Sequence, residues 1–87
     1  MLLEVASEVA GSGRNAATLE YSLPAAGNVI VAVYDVTGRR VSTLVNEYQA
    51  AGDHRTTWNH ASVAQGMYFV RLRAGSASIT KSVLILE

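Results

Sequence analysis

The stretch "NVIVAVYDVTGRRV", residues 28–41, joins an uninterrupted apolar run to two arginines through Asp, Val, Thr and Gly. In an extended strand, neighbouring side chains point to opposite faces, so the run "VIVAVY" makes both faces apolar. A strand of this kind is typical of the centre of a sheet, where both faces are at least partly covered. We therefore expect a central β-strand here, followed by a turn.

The turn "DVTG" has the residue types of a tight hairpin connection. Asp35 stands at its first position, where a carboxylate can accept backbone N–H groups within the turn. Gly38 stands where a left-handed backbone is needed, which predicts a type I turn followed by a glycine bulge. No glycine-rich loop leads into a helix, so a phosphate site is not indicated. Arg39 and Arg40 are expected to point to opposite faces of the next strand, and so not to converge on one ligand.

A period of two residues marks the segments on both sides of this hairpin. Apolar and polar residues alternate in "TLEYSLP" (residues 18–24), "DHRTTWNH" (53–60) and "GMYFVRLRA" (66–74). The segment "RVSTLVNEY" (40–48) is less regular, which a bulge or an irregular edge strand would explain. Glycine-containing turns separate the segments at intervals of roughly 8–12 residues, as in an antiparallel sandwich or barrel.

The two ends of the chain complete the predicted fold. "SITKSVLILE", residues 78–87, is a β-branched and aliphatic strand. "LLEVASEVA", residues 2–10, suits a first strand or a short helix, and we favour the strand because a sandwich of seven strands then closes. This segment has two glutamates and no basic residues, so we do not expect it to be a secretory signal peptide. We predict a single all-β domain over residues 1–87.

The composition excludes several classes of function. Seven acidic residues balance seven basic ones, so we expect no long-range attraction to nucleic acid. There are no cysteines, which removes disulfides, thiolate chemistry and cysteine-rich zinc sites. The longest apolar run is far too short to span a bilayer, so we expect no membrane insertion.

The sequence shows no constellation of catalytic or metal-ligating residues. His54 and His60 are six positions apart, which is about 20 Å along a continuous strand and too far for a shared metal. His54 shares the predicted inward face with Trp58, and we interpret it as a hydrogen-bonded core histidine. The seven carboxylates are scattered, and no nucleophile has a visible base. We predict that the protein is not an enzyme and that it uses no cofactor and no metal.

The segment "GMYFVRLRA" has two different faces. We predict Tyr68, Val70 and Leu72 to point inward. The opposite face carries Met67, Phe69, Arg71 and Arg73, which we call the cationic stripe. A covered sheet face would explain the stripe, with arginine stems lying along apolar surface. A protein-contact surface would also explain it, because Arg, Met and aromatic residues are enriched in interfaces.

The last strand has a further property that depends on its place in the sheet. If it lies at an edge, its free backbone groups can pair with a strand of a partner. Dimerisation by edge pairing is therefore left open by the sequence.

The segments "TLEYSLP", "VYDVTGRRV", "AAGDHRTTWN", "AQGMYFVRLRAG" and "KSVLILE", in this order and spacing, resemble the type A C-terminal sorting domain of type IX secretion cargo in the Bacteroidetes. The resemblance runs from about residue 18 to the end of the sequence, where such a domain must stand. It implies an immunoglobulin-like sandwich of seven strands behind an upstream cargo domain. It also implies recognition by the outer-membrane translocon and its shuttle proteins. The cargo would pass through the periplasm and be attached at the cell surface or released.

The resemblance also assigns roles to residues. Those implied to be structural are Asp35, Gly38, Gly52, Trp58, Gly66, Tyr68 and Leu72. The candidates for contact with the translocon are Phe69, Arg71, Arg73, Lys81, Val83 and Leu84. Relatives usually carry a proline-containing loop where "AGSGRNA", residues 10–16, stands here, so we expect a more flexible first connection.

Two other hypotheses about the function remain open. The immunoglobulin-like domain of flagellar hook-capping proteins shares much of the same sequence pattern. In those proteins it serves as a structural assembly module. An adhesive or carbohydrate-binding accessory sandwich is the third candidate, and it would need an exposed aromatic platform or a calcium site.

Overall fold

The computed structural model describes residues 1–5, 9–10 and 16–86 of the chain. The described residues form β1 (Leu2–Val5), β2 (Val9–Ala10), β3 (Ala16–Leu23), β4 (Gly27–Tyr34), β5 (Arg40–Gln49), β6 (Gly52–Asn59), β7 (Gly66–Ala74) and β8 (Ala77–Ile85). The all-β prediction is confirmed, and the ambiguous N-terminal segment begins with a strand, as favoured. The predicted flexible connection falls mainly on residues outside the described ranges.

The strands form two sheets that pack into an immunoglobulin-like sandwich. One sheet has three strands in the order β1-β3-β6, and the other has five in the order β2-β8-β7-β4-β5. All neighbouring pairs are antiparallel except the two-residue strand β2, which runs parallel to β8. Within the described ranges there is no helix long and apolar enough to span a bilayer.

The hairpin of β4 and β5 confirms the interpretation of the opening stretch. β4 lies between β5 and β7, so it is central as its apolar faces predict. Val29, Val31 and Val33 are buried on the inner face, whereas Ile30 and Tyr34 on the other face are half-buried. The pairing of β4 with β5 has two register shifts, and β5 is an edge strand, so both predicted causes of its irregular pattern are present.

The core lies between the two sheets and follows the alternation of each strand. Its largest fully buried side chains are Trp58, Leu3, Leu19, Leu72, Val29, Val31, Val33, Val70 and Val83. Burial of one such side chain stabilises the fold by about 1.5–3 kcal/mol. The predicted inward residues of β7, Tyr68, Val70 and Leu72, are all buried, so this prediction is confirmed.

The two histidines have different environments. His54 is half-buried on β6, stacks on Tyr21 with ring centroids 5.4 Å apart, and has Nε2 2.7 Å from the carbonyl oxygen of Ala50. It is hydrogen-bonded, as predicted, but it is only half-buried, so its assignment to the core is wrong. The buried histidine is His60, which follows the end of β6 and packs against Trp58.

Candidate protein-contact surface

The cationic stripe lies on the face of the five-stranded sheet that points away from the three-stranded sheet, which we call the outer face. Met67 and Arg73 are exposed, and Phe69 and Arg71 are half-buried. The strand register places their neighbours, because directly opposed residues share a face. Phe69 lies opposite Tyr34 and Arg71 opposite Ala32. The stripe is thus accessible, and its arginines border the outer face of the central strand.

Tyr34 is the point where two of the arginines meet. Nη2 of Arg71 donates a hydrogen bond to Oη of Tyr34 at 2.8 Å, and Nη2 of Arg40 donates to the same oxygen at 3.1 Å. The guanidinium carbons of Arg71 and Arg40 lie 4.8 and 5.6 Å from the centroid of the Tyr34 ring, within cation–π range. We call these three residues the Tyr34 cluster.

The two arginines change the acidity of the phenol. The hydrogen bond from Arg40 lowers the pKa of Tyr34 below its ordinary value of 10.0, with the positive charges of Arg71 and Arg40 acting in the same direction. Partial burial acts in the opposite direction and only offsets part of the effect. The cluster is therefore a place where negative charge is favoured.

The turn after β4 sets the geometry of the cluster. Oδ1 of Asp35 accepts hydrogen bonds from the backbone N–H of Thr37 at 2.9 Å and of Arg39 at 3.1 Å. The N–H of Gly38 donates to the carbonyl of Asp35 at 3.0 Å, and Gly38 has φ +87°. The predicted turn is confirmed. The Asp35 carboxylate already accepts hydrogen bonds from the N–H groups that a bound anion would need. The turn places Arg40 directly opposite Tyr34.

The carboxylates of the described residues lie elsewhere. Ion pairs in the described ranges join Arg39 to Asp35 at 3.7 Å and Arg55 to Glu20 at 3.3 Å. Neither pair involves the Tyr34 cluster or Arg73. The strand rows that contain the outer-face arginines carry Ala, Ile, Ser, Thr, Asn, Tyr and Phe, but no described carboxylate. The outer face is therefore locally cationic although the whole chain has a formal net charge of zero.

The structure separates the six predicted contact residues. Phe69, Arg71 and Arg73 share the outer face, and Leu84 joins them because it lies opposite Met67. The remaining two do not belong to this surface. Lys81 lies opposite the inward-facing Val70 and borders a shallow depression with residues 3–5 of β1, so it is exposed at the other face of β8. Val83 is only 1% exposed.

The six predicted contact residues therefore cannot form one contact surface. The side chain of Val83 belongs to the core, so it cannot be presented to a partner in this fold. Lys81 and Arg71 cannot contact the same flat surface, because the sheet lies between them.

The residues predicted to be structural are in structural positions. Trp58, Tyr68 and Leu72 belong to the core. Gly52 and Gly66 have φ of +116° and +148° and stand at the starts of β6 and β7. Such backbone conformations favour glycine.

Sequence reasoning missed Tyr34 and Arg40 as members of the outer-face surface. The usable signal was the tight turn, because a five-residue connection with a glycine bulge, residues 35–39, brings the residues that flank it together across the hairpin. No sequence signal predicts the contact of Arg71 with Tyr34, because this contact depends on which strand pairs with β4.

The described residues contain no group of three or more His, Asp or Glu side chains arranged to hold a metal ion. No curated protein matches the chain. A family model described as "Secretion system C-terminal sorting domain" matches residues 14–86, which is most of the sequence. This match confirms the resemblance to type IX cargo. The chain therefore belongs to the family of secretion system C-terminal sorting domains.

Proposed function

We propose that residues 1–87 act as one non-catalytic domain that directs an upstream cargo protein through the type IX secretion translocon. Its partners would be the translocon and shuttle proteins of the outer membrane. The cargo would cross the periplasm and then be attached at the cell surface or released. The observation that supports this proposal is the family match, which describes a sorting signal and extends over residues 14–86.

The outer face is the surface that we propose for recognition. It offers exposed or half-exposed Met67, Phe69, Arg71 and Arg73, and these residue types are enriched in protein interfaces. Leu84 extends the apolar part of this surface beside Met67. Arginine contacts of this kind give orientation and specificity, because the planar guanidinium makes directed hydrogen bonds.

A reporter fusion tests the proposal. The reporter carries a general secretion signal at its N-terminus and residues 1–87 at its C-terminus, in a host with type IX secretion. Deletion of residues 80–87 alone is ambiguous, because it removes the core residues Val83 and Ile85 and is expected to unfold the domain. Point variants of the outer face avoid this problem.

The double variant Arg71→Gln/Arg73→Gln is expected to abolish surface display while the purified domain still unfolds cooperatively. The matched control Arg39→Gln/Arg55→Gln removes the same charge from exposed positions outside the outer face, and it should display normally. Normal display of a folded Arg71→Gln/Arg73→Gln fusion would contradict the proposed recognition surface. Lys81→Gln, tested separately, reports whether the opposite face of β8 takes part.

A further inference from the structure

The Tyr34 cluster has more hydrogen-bond donors than the described structure uses. A phenol oxygen has two lone pairs and one O–H group, and a guanidinium has five N–H groups. Arg40 and Arg71 each donate to the oxygen of Tyr34, so its two lone pairs are taken. No described residue accepts a hydrogen bond from the O–H of Tyr34. The phenol is thus left as a donor beside two cations that also have N–H groups to spare.

From this geometry we propose that the Tyr34 cluster is a binding site for a carboxylate side chain of an acidic partner protein. The proposal rests on the proposed function and names the chemistry of the partner in the secretion machinery. The O–H of Tyr34 and the N–H groups of Arg71 would converge on the two carboxylate oxygens. Arg40 would add the second positive charge.

The electrostatics of the outer face support an anionic ligand. Two guanidinium groups lie within 5.6 Å of the centre of one aromatic ring, and the described ion pairs leave both without a carboxylate. An anion between them would offset the repulsion of the two cations. Arg71 is half-buried against the sheet, so its interaction with a carboxylate would be less screened than at a fully exposed site.

The surroundings favour a protein carboxylate over a polyanionic glycan or nucleic acid. Half-buried Phe69 lies opposite Tyr34, and exposed Met67 lies two residues away on the same face of β7, so apolar groups border the donors. A protein side chain brings apolar neighbours that can pack on these groups, whereas a polyanion does not. The formal net charge of zero also gives no broad positive field to hold a polyanion.

Arg73 extends the site along β7. It forms a shallow polar depression with Arg71 and the β7–β8 turn, residues 75–78. The depression is large enough to receive a second acidic side chain. A partner segment with carboxylates at alternate positions of an extended strand would reach both arginines, because alternate strand residues share a face.

The test is a titration of the isotope-labelled 87-residue protein followed by NMR. The probe is a short synthetic peptide in which glutamate alternates with valine, and the control probe has glutamine in place of glutamate. We expect the glutamate peptide to shift the side-chain signals of Tyr34, Arg40 and Arg71, and the glutamine peptide to leave them unchanged. Equal shifts with both peptides would overturn the proposal.

Three variants define the chemistry. Arg71→Gln should weaken binding of the glutamate peptide by about ten- to a hundredfold, the range expected for hydrogen bonds to a charged group. Tyr34→Phe keeps the ring and removes the O–H, and it should also weaken binding. Arg39→Gln removes a nearby charge outside the cluster and should bind as the unaltered protein does. Equal affinity of all these proteins would overturn the site, as would tighter binding of dextran sulfate than of the glutamate peptide.

The reporter fusion separates failure of the site from failure of the proposed function. If Arg71→Gln loses surface display but retains full binding of the glutamate peptide, the carboxylate proposal is wrong and the proposed function stands. If the unaltered fusion is not displayed while the peptide still binds at the Tyr34 cluster, the proposed function is wrong. Loss of both binding and display in Arg71→Gln supports the assignment of the site to an acidic partner.

Discussion

Trp58 of β6 packs edge-to-face against Tyr68 of β7, with ring centroids 5.4 Å apart and ring planes at 65°. The contact joins the three-stranded sheet to the five-stranded sheet. The hydroxyl of Tyr68 donates to the carbonyl of Ala64 at 2.7 Å, which holds its ring in place, and His60 packs against Trp58 at 5.5 Å. The pair is therefore an anchor between the two layers of the sandwich.

Replacement of Trp58 by alanine should lower the free energy of unfolding by about 3–5 kcal/mol, because it leaves a large cavity in the core. Denaturant melts followed by circular dichroism would measure the change, since the variant lacks the chain's single tryptophan. Tyr48→Ala is the control: Tyr48 is 67% exposed, and its loss should change stability by less than about 0.5 kcal/mol. A cost below about 1 kcal/mol for Trp58→Ala would contradict its role in the core.

Gly38→Ala should destabilise the domain by about 1–2 kcal/mol, because φ is +87° at this turn position and a Cβ is strained there. The strain is conformational, since an added Cβ meets no atom within 4 Å. Gly27→Ala is a matched control that is equally free of steric contact but is not in the positive-φ region. Thermal melts should show a loss at residue 38 and little change at residue 27, and equal effects would argue against the glycine-bulge turn.

The Asp35 turn should make stability depend on pH. The hydrogen bond from the hydroxyl of Thr37 is the main cause that lowers the pKa of Asp35 below its ordinary value of 3.8. A lowered pKa in the folded state means that the carboxylate contributes stability above the unfolded pKa, and that this contribution is lost as the pH falls through the folded pKa.

Melting temperatures of the unaltered protein and of Asp35→Asn should therefore differ near pH 7 and converge under acid conditions below the folded pKa. Asp53→Asn removes an exposed carboxylate outside the turn and serves as the control. A constant difference for Asp35→Asn across the whole acid range would show that the ionised carboxylate is not what stabilises the turn.

Tyr34 should ionise at lower pH than an ordinary tyrosine, because Arg40 and Arg71 favour its phenolate. A pH titration of the Tyr34 ring carbon signal by NMR would measure this pKa. Arg40→Gln should move the pKa upward, since it removes the hydrogen bond that contributes most to the shift. Arg39→Gln should leave it unchanged, and an equal upward movement in that variant would indicate a general charge effect instead of a direct contact.

The parts of the fold that were predictable are those encoded locally. The apolar run of β4, the Asp35–Gly38 turn and the alternation of β7 each depend on a few neighbouring residues. The aliphatic end of β8 was different, because Val83, Leu84 and Ile85 are all apolar and alternation cannot show which of them faces the core. The resemblance placed Val83 among the contact residues, and the sequence of this strand gave no reason to exclude it.

The candidate site was only half predictable, because its geometry depends on strand order. Arg71 was identified on the outward side of its strand, but its position beside Tyr34 requires β7 to pair with β4. Lys81 was grouped with Arg71 by sequence motif, and the register of β7 with β8 places it on the other face. Neither the pairing of β7 with β4 nor its register with β8 can be predicted from the neighbouring residues in the sequence.

The hydrogen bond between Arg71 and Tyr34 joins residues 37 positions apart, and these residues meet only after β4 and β7 have paired. An unfolded or newly emerging chain has no such surface, and no short segment cut from this domain would carry it. A partner that binds this surface would therefore distinguish folded domains from unfolded ones, and it would do so without contacting the cargo. Such a signal would also act as a check that the domain has folded before its cargo is secreted.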